Sequence, residues 1–227
     1  MSIPVVVIMA KKPQPGRSKT RLCPPYTLKQ AASIAEALLK DTIDLVNAIP
    51  GIQPAVAITP PEELSYFQNI CPGHFWLLPV NGENIGECLN STIDTVLDKG
   101  HPKSIAINAD GPDLPISYLA KSLSDLDTHD MVIGPTNDGG YYLIGLKHTA
   151  PQIFEGITWS TNLVLNQTLE RAKNSGLSYT ILPPWHDVDT GQEVERLKLH
   201  LKNLPDDSLI HTRNLLLHLN TSPLTGK

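Results

Sequence analysis

Apolar residues along this chain fall into two alternating patterns. Short β-branched runs recur, and between them lie longer stretches with apolar positions three and four apart. The first run, residues 4–10 (PVVVIMA), is continuously apolar, as a strand covered on both faces requires. Leu28, Ala31, Ala35, Leu38, Leu39, Thr42 and Val46 then recur at helical spacing, with Thr27 as N-cap and Pro50-Gly51 as the stop. Residues 55–59 (AVAIT) predict a second strand. In the TPPEE that follows, Thr59 and Glu62 have the spacing of a capping box, with Pro60 at the first helical position. Further strands are predicted at 75–80, 104–109, 131–134, 141–146 and 179–182. Further helices are predicted at 85–99, at 116–126 and at 161–174, the last capped by Ser160. Another runs from a Thr190/Glu193 capping box to Leu201, and a terminal one covers 207–219.

Strands that alternate with helices build parallel βαβ units. The expectation is an α/β fold, a mostly parallel twisted sheet flanked by helices, in one domain over residues 1–220 with 221–227 frayed. Ligands of such sheets sit beyond the C-terminal ends of the strands. Candidate chemistry is therefore sought just after each strand.

Composition narrows the class. Of 227 residues, 41% are hydrophobic and 18% charged, which supports a core and excludes disorder over most of the length. No window approaches the roughly 20 apolar residues of a membrane span. The first apolar run is short for a signal segment and its basic residues follow it, so a cytoplasmic location without membrane partners is expected. Cys23, Cys71 and Cys88 are odd in number and widely spaced, which reads as reduced thiols. The net charge of −5 argues against a nucleic-acid partner. That charge is uneven, however. Residues 11–21 hold Lys11, Lys12, Arg17, Lys19 and Arg21 and no acid, which leaves −10 on the rest. A basic pocket in an acidic protein suits a small polyanion.

Four segments carry candidate chemistry. The first strand ends at Ala10 and runs into KKPQPGRSKTRL. A phosphate-binding P-loop ending at Lys19-Thr20 would need glycine where Pro13 and Ser18 stand, so that match fails. What remains is a proline-stiffened turn with Gly16 for backbone approach. Arg17, Lys19 and Arg21 follow on alternate residues, which in an extended loop point one way and clamp a di- or triphosphate. In NADGPDLP, Asp110 falls where the fourth strand ends, suited to Mg²⁺ or Mn²⁺, and Asp113 reads as the N-cap of the next helix. In GPTNDGGYYLIGL, Asp138-Gly139 is a hairpin turn, while Gly139-Gly140 beside Tyr141-Tyr142 makes a backbone shelf with an aromatic wall. Asp138 there is a candidate base or hydroxyl ligand. Trp159 reads as core or pocket wall. In HDVDT, Asp189 is the candidate second metal ligand and Asp187 its rival. Neither GxSxG nor HExxH occurs, which removes the hydrolase elbow and the zinc-protease motif.

PGRSKTRL, DGPDLP, GPTNDGGYYLIGL, IFEGITWST and DVDT, in this order from residue 5 to about 200, resemble one family. It comprises small bacterial GT-A-type transferases, catalogued as a domain of unknown function and also described as radical-SAM/selenodomain-associated transferases. Its members commonly carry Cys where this chain has Gly111. The resemblance implies the single-domain GT-A-like nucleotide-diphospho-sugar transferase fold. It implies a divalent metal, Mg²⁺ or Mn²⁺, on Asp110 and Asp189.

Together these features predict a metal-dependent transferase acting on a nucleotide. The nucleotide, an NTP or a nucleotide-sugar, is assigned to Ala10, Gly16, Arg17, Lys19 and Arg21. A small-molecule acceptor is assigned to Gly139, Gly140, Tyr141, Tyr142 and Trp159. Asp110, Lys19 and Asp138 are the candidate catalytic residues. Nucleotidyl transfer from an NTP is favoured over glycosyl transfer, with a non-catalytic nucleotide-binding module as the alternative of another class. The chain is expected to be a monomer or a homodimer.

Overall fold

The computed structural model describes residues 2–219. The expected frayed segment 221–227 and the domain limit at 220 lie outside them. In chain order the elements are β1 (Val5–Ala10), α1 (Leu28–Asn47), β2 (Gln53–Ile58), α2 (Leu64–Ile70), β3 (Trp76–Pro79), α3 (Ile85–Asp98) and β4 (Ser104–Ile107). They continue as α4 (Ile116–Thr128), β5 (Met131–Pro135), β6 (Tyr141–Leu146), α5 (Val164–Asn174), β7 (Tyr179–Ile181), α6 (Gly191–Leu201) and α7 (Ile210–His218). The seven strands form one sheet in the order β3-β2-β1-β4-β6-β5-β7. Every neighbouring pair is parallel except those that involve β6, which runs against both β4 and β5.

The apolar run of β1 follows from its central place in this sheet. Val6, Ile8 and Ala10 face one layer, where Leu39 and Ile43 of α1, Phe67 of α2 and Leu119 and Leu126 of α4 pack. Val5 and Val7 face the other, against Cys88 and Val96 of α3. Farther along that second face, Leu89 and Ile93 of α3 and Ala172 of α5 cover Ile133 and Ile144. A third cluster joins the outer face of α1 (Ile34, Leu38) to Leu197 and Leu201 of α6 and Leu216 of α7. After β1 the chain builds β2 and β3 on one side, then crosses to β4 on the other. The loops leaving β1 and β4 therefore diverge above the sheet and open a crevice between them.

Local chemistry decides where helices start. Thr27 and Thr190 form the capping boxes with Gln30 and Glu193. The box expected at Thr59 does not form. Pro60 precedes Pro61, and a residue before proline is driven out of helical geometry; Pro60 is extended, and α2 begins only at Leu64 after a 3-10 turn. The Thr59 hydroxyl turns instead to Cys88 Sγ at 3.8 Å. Ser160 does not cap α5. Its backbone is left-handed (φ 63°) and the helix starts at Val164. Helix α7 starts at Ile210, three residues later than its pattern predicts, where Asp41 of α1 accepts the N–H groups of His211 (3.0 Å) and Thr212 (2.8 Å). A carboxylate at a helix N-terminus satisfies orphan donors and complements the helix dipole.

The starts of β5 and β7 are tied by one side chain. Asp130 accepts hydrogen bonds from the Ser178 hydroxyl (2.6 Å) and N–H (2.9 Å), and these hold its carboxyl down to about 2. Asp130→Ala is expected to cost about 1–2 kcal/mol of stability at pH 7. Because the folded value is depressed from an ordinary 3.8, this contribution is present above about pH 4 and fades as pH falls through 2. Urea midpoints should separate variant from wild type at neutral pH and converge near pH 2.

Candidate active site

The crevice holds a cleft of about 590 Å³ over the C-terminal ends of β1 and β4. One wall is the loop after β1. That loop is not extended. Gly16 turns it at φ 78°, Ser18 Oγ accepts the Gln14 N–H at 2.9 Å, and a 3-10 turn spans Thr20–Leu22. The expected one-sided row of cations is thereby broken. Arg17 and Arg21 line the cleft with Lys11 and Ala10, whereas Gly16 only makes the corner.

Lys19 lines the cleft, and its ammonium meets two acids that line it as well. Its ammonium is ion-paired with Asp110 and, at 2.7 Å, with Asp189, and only 7% of the side chain is exposed. Burial works to lower the ammonium's pKa. The charges and hydrogen bonds of Asp110 and Asp189 outweigh burial and push it above the ordinary value. Its backbone is left-handed (φ 49°, ψ 39°), a conformation that costs a residue with a Cβ roughly 1–2 kcal/mol. The double ion pair offsets that strain.

Asp110 and Asp189 come from loops far apart in sequence that are held together. Val188 N–H donates to Asp110 O at 2.8 Å. A Cβ on Gly111 would lie 2.7 Å from His186 O, so with the two loops this close a side chain at 111 would make one of them shift. Asp113 provides the clamp. It is no N-cap: Pro115 occupies that position of α4. Its side chain, 2% exposed, accepts from Trp185 Nε1 (3.3 Å) and His186 Nε2 (3.2 Å). Trp185 and His186 also stack on each other, with ring centroids 4.7 Å apart. The hydrogen bond to Asp113 raises the His186 pKa, against burial. Asp187 is also drawn in, accepting from Asn108 Nδ2 at 2.8 Å; burial and then the Asp110 charge push its carboxyl up to about 7.

A second cleft of about 570 Å³ adjoins the first, and Met9, Arg21, Ile85, Asn108 and Asp110 line both. Trp159 forms one side. Its ring lies over Gly86, where a Cβ would sit 2.3 Å from it. Asp138 and Gly140 edge this cleft. Asp138 Oδ1 is committed to its own turn, accepting from Thr136 Oγ1 (2.5 Å) and the Gly140 N–H (3.2 Å). Gly139 is not an open shelf: its carbonyl accepts the Leu165 N–H at 2.9 Å, and Asn162 packs directly on it. Tyr141 and Tyr142 both line this cleft, but their side chains do not lie side by side. Strand alternation sends Tyr141 toward α5 and Tyr142 into the core beneath α4. Tyr142 is 2% exposed and donates its hydroxyl to Pro183 O at 3.1 Å. Burial raises both phenol pKa values, which excludes either as a base near neutral pH.

Sequence reasoning missed Asn108, which joins both clefts to Asp187, and residues 82–85, which form a wall at the start of α3. The Asn84 cap of α3 was the available signal for the latter. Among the described residues, one group of three metal-ligating side chains gathers within 4.8 Å: Asp41, Asp44 and His211. It lines neither cleft, and Asp41 there caps α7.

Asp113→Ala leaves His186 and Trp185 without an acceptor and should cost about 2 kcal/mol, because hydrogen bonds to a buried charged group are worth more than neutral ones. A urea midpoint within error of wild type would show that Asp113 does not tie the loops.

Residues 42–161 match the profile of the family described as "Uncharacterized protein conserved in bacteria (DUF2064)". The match spans the Asp110 loop and the Asp138 hairpin. No curated protein matches the chain. A crystal structure of a candidate nucleotide-diphospho-sugar transferase from Desulfovibrio desulfuricans G20 is 28% identical, with TM-score 0.85, covering 94% of this chain and 95% of its own. A cytidylyltransferase from Leptospira borgpetersenii is 10% identical with TM-score 0.57, covering 96% and 94%. A CMP:2-keto-3-deoxy-manno-octonic acid synthetase complexed with CTP is 14% identical with TM-score 0.56, covering 89% and 100%. At these lower identities the last two share the fold alone. With a nucleotide-diphospho-sugar transferase fold and the family profile over more than half its length, the chain belongs to the DUF2064 family.

Proposed function

We propose that this protein is a divalent-metal-dependent transferase that moves a nucleotidyl group from an NTP to a small-molecule acceptor. The observation that carries this reading is the junction of two clefts at Asp110, one edged by Lys11, Arg17 and Arg21 and the other walled by Trp159. Cations on one side suit the phosphates, and an apolar wall with few polar groups suits an acceptor. The names of the similar structures, a candidate nucleotide-diphospho-sugar transferase, a cytidylyltransferase and a CMP-octonic acid synthetase complexed with CTP, agree with it.

The donor set fits a hard dication. Two carboxylates, Asp110 and Asp189, already converge on one positive charge at the cleft floor. These two residues would hold Mg²⁺ or Mn²⁺, which when bound supplies charge neutralisation to the phosphates. Arg17 and Arg21 bind the outer phosphates through guanidinium hydrogen bonds and stabilise the charge that grows on departing pyrophosphate. Arg21, 71% exposed and lining both clefts, reaches donor and acceptor alike. Trp159 orients the acceptor. Asp138 Oδ2, which has no hydrogen bond among the described residues, faces the acceptor hydroxyl.

The Desulfovibrio structure favours a second reading, glycosyl transfer from a nucleoside diphosphate sugar. The products separate the two: pyrophosphate for nucleotidyl transfer, free nucleoside diphosphate for glycosyl transfer.

Thermal shifts with NTPs and nucleotide-sugars, each with and without Mn²⁺, provide the test. A ligand at 100 times its Kd stabilises by about 2.7 kcal/mol, a shift of several degrees. The expected result is a metal-dependent shift from one nucleotide class. Equal shifts with chelator present would favour a binding module. Arg17→Ala should weaken nucleotide binding about tenfold, less so in high salt. Asp110→Asn should fold normally and lower turnover by about 10² or more; wild-type turnover in that variant would remove Asp110 from the chemistry.

A further inference from the structure

Of the basic loop's candidate phosphate ligands, Arg17 and Arg21 are exposed along the cleft and Lys19 is withdrawn. Its ammonium stands at the focus of the Asp110 and Asp189 carboxylates. That focus is a cation position occupied by a side chain. The occupant is poorly matched in charge, since one ammonium faces two carboxylates. The carboxylates remain reachable from the cleft, 42% and 32% exposed, whereas the Lys19 side chain is only 7% exposed. Among the described residues, the Asp189 carboxylate is otherwise paired with Arg21, at 3.5 Å, beyond a good hydrogen bond.

A dication and an ammonium cannot share this focus, because like charges a few Å apart repel strongly in a partly buried site. A dication also balances both carboxylates, which one ammonium does not. Lysine suits the part of a leaving occupant. Its charge sits on a flexible four-carbon stem, unlike the planar arginine fork. The loop that carries it lines the same cleft as Arg17 and Arg21.

We propose that Lys19 is a displaceable stand-in for the divalent cation of this site, and that its ammonium, once released from Asp110 and Asp189, becomes the loop's third phosphate ligand. This rests on the metal-dependent reading above and adds an order to it. The unloaded site keeps its carboxylates paired and its phosphate cleft one cation short. Loading completes the clamp, so metal and nucleotide strengthen each other's binding reciprocally.

The test uses the full chain and Mn²⁺ alone. Acetic anhydride labelling of lysine amines, read residue by residue by mass spectrometry, should find Lys19 at least tenfold slower than the exposed Lys29 without metal. Saturating Mn²⁺ should raise Lys19 labelling at least fivefold and leave Lys29 unchanged. Electron paramagnetic resonance titration should show Lys19→Met binding Mn²⁺ about tenfold more tightly than wild type, since no ammonium has to leave. Lys19 still protected while resonance shows Mn²⁺ bound, wherever it is seated, overturns the exchange and leaves the metal-dependent reading standing. No Mn²⁺ binding by wild type or by Lys19→Met overturns both.

Discussion

One ammonium group organises the active face of this protein. Lys19 reaches Asp189 across 170 residues of sequence and takes Asp110 on the way. Burying a lysine is costly unless its charge is matched. Here two carboxylates more than match it, and the raised pKa of Lys19 is the signature of that balance. The geometry that makes it possible belongs to the backbone. The chain reverses its direction of sheet growth between β1 and β4, so the loop after β1 and the loop after β4 stand face to face. The loop after β7 is then drawn in by Asp113, Trp185 and His186 until Val188 bonds the backbone of Asp110.

Much of this was legible in the sequence because it depends on local signals. The continuous apolar run of β1 requires cover on both faces, and α1, α4 and α3 supply it. The cap at Thr27 and the box at Thr190 need only residues three apart. The acids after β4 and β7 and the cations after β1 were legible as residues that meet around one cleft, since loops leaving the strand ends share that edge of the sheet. The alternation of strand and helix was also sufficient for the fold class, and the motif order for the family.

What was not legible depended on long-range partners. Alternate residues point one way only in an extended chain, and the Gly16 corner and the 3-10 turn at Thr20 are not extended. Lys19 thus parted from its neighbours for a reason found 91 and 170 residues away. Asp113 sits where an N-cap is expected, yet its partners are Trp185 and His186, which no local pattern announces. Tyr141 and Tyr142 both line the second cleft, yet as adjacent residues of β6 their side chains face opposite layers, which a reading of them as one aromatic wall leaves out. Prolines explain the lost capping box, because Pro61 dictates the conformation of Pro60 before Thr59 can act.

The reversed strand β6 gives the site its second half. In a wholly parallel sheet, β5 would be followed by a crossover that carries the chain back to the far edge before the next strand begins. The β5–β6 hairpin instead turns at the active edge, so Asp138, Gly139 and Gly140 stay beside Asp110. The chain leaving β6 then returns to cover that turn, with Asn162 packed on Gly139 and the Leu165 N–H bonded to its carbonyl. This same return brings Trp159 over Gly86 at the start of α3. One antiparallel pairing thereby places a compact turn, an aromatic wall and the head of a helix around a cleft that shares Asp110 with the basic cleft. The two clefts thus meet at Asp110, the residue to which Lys19 is tied, along one edge of a single sheet.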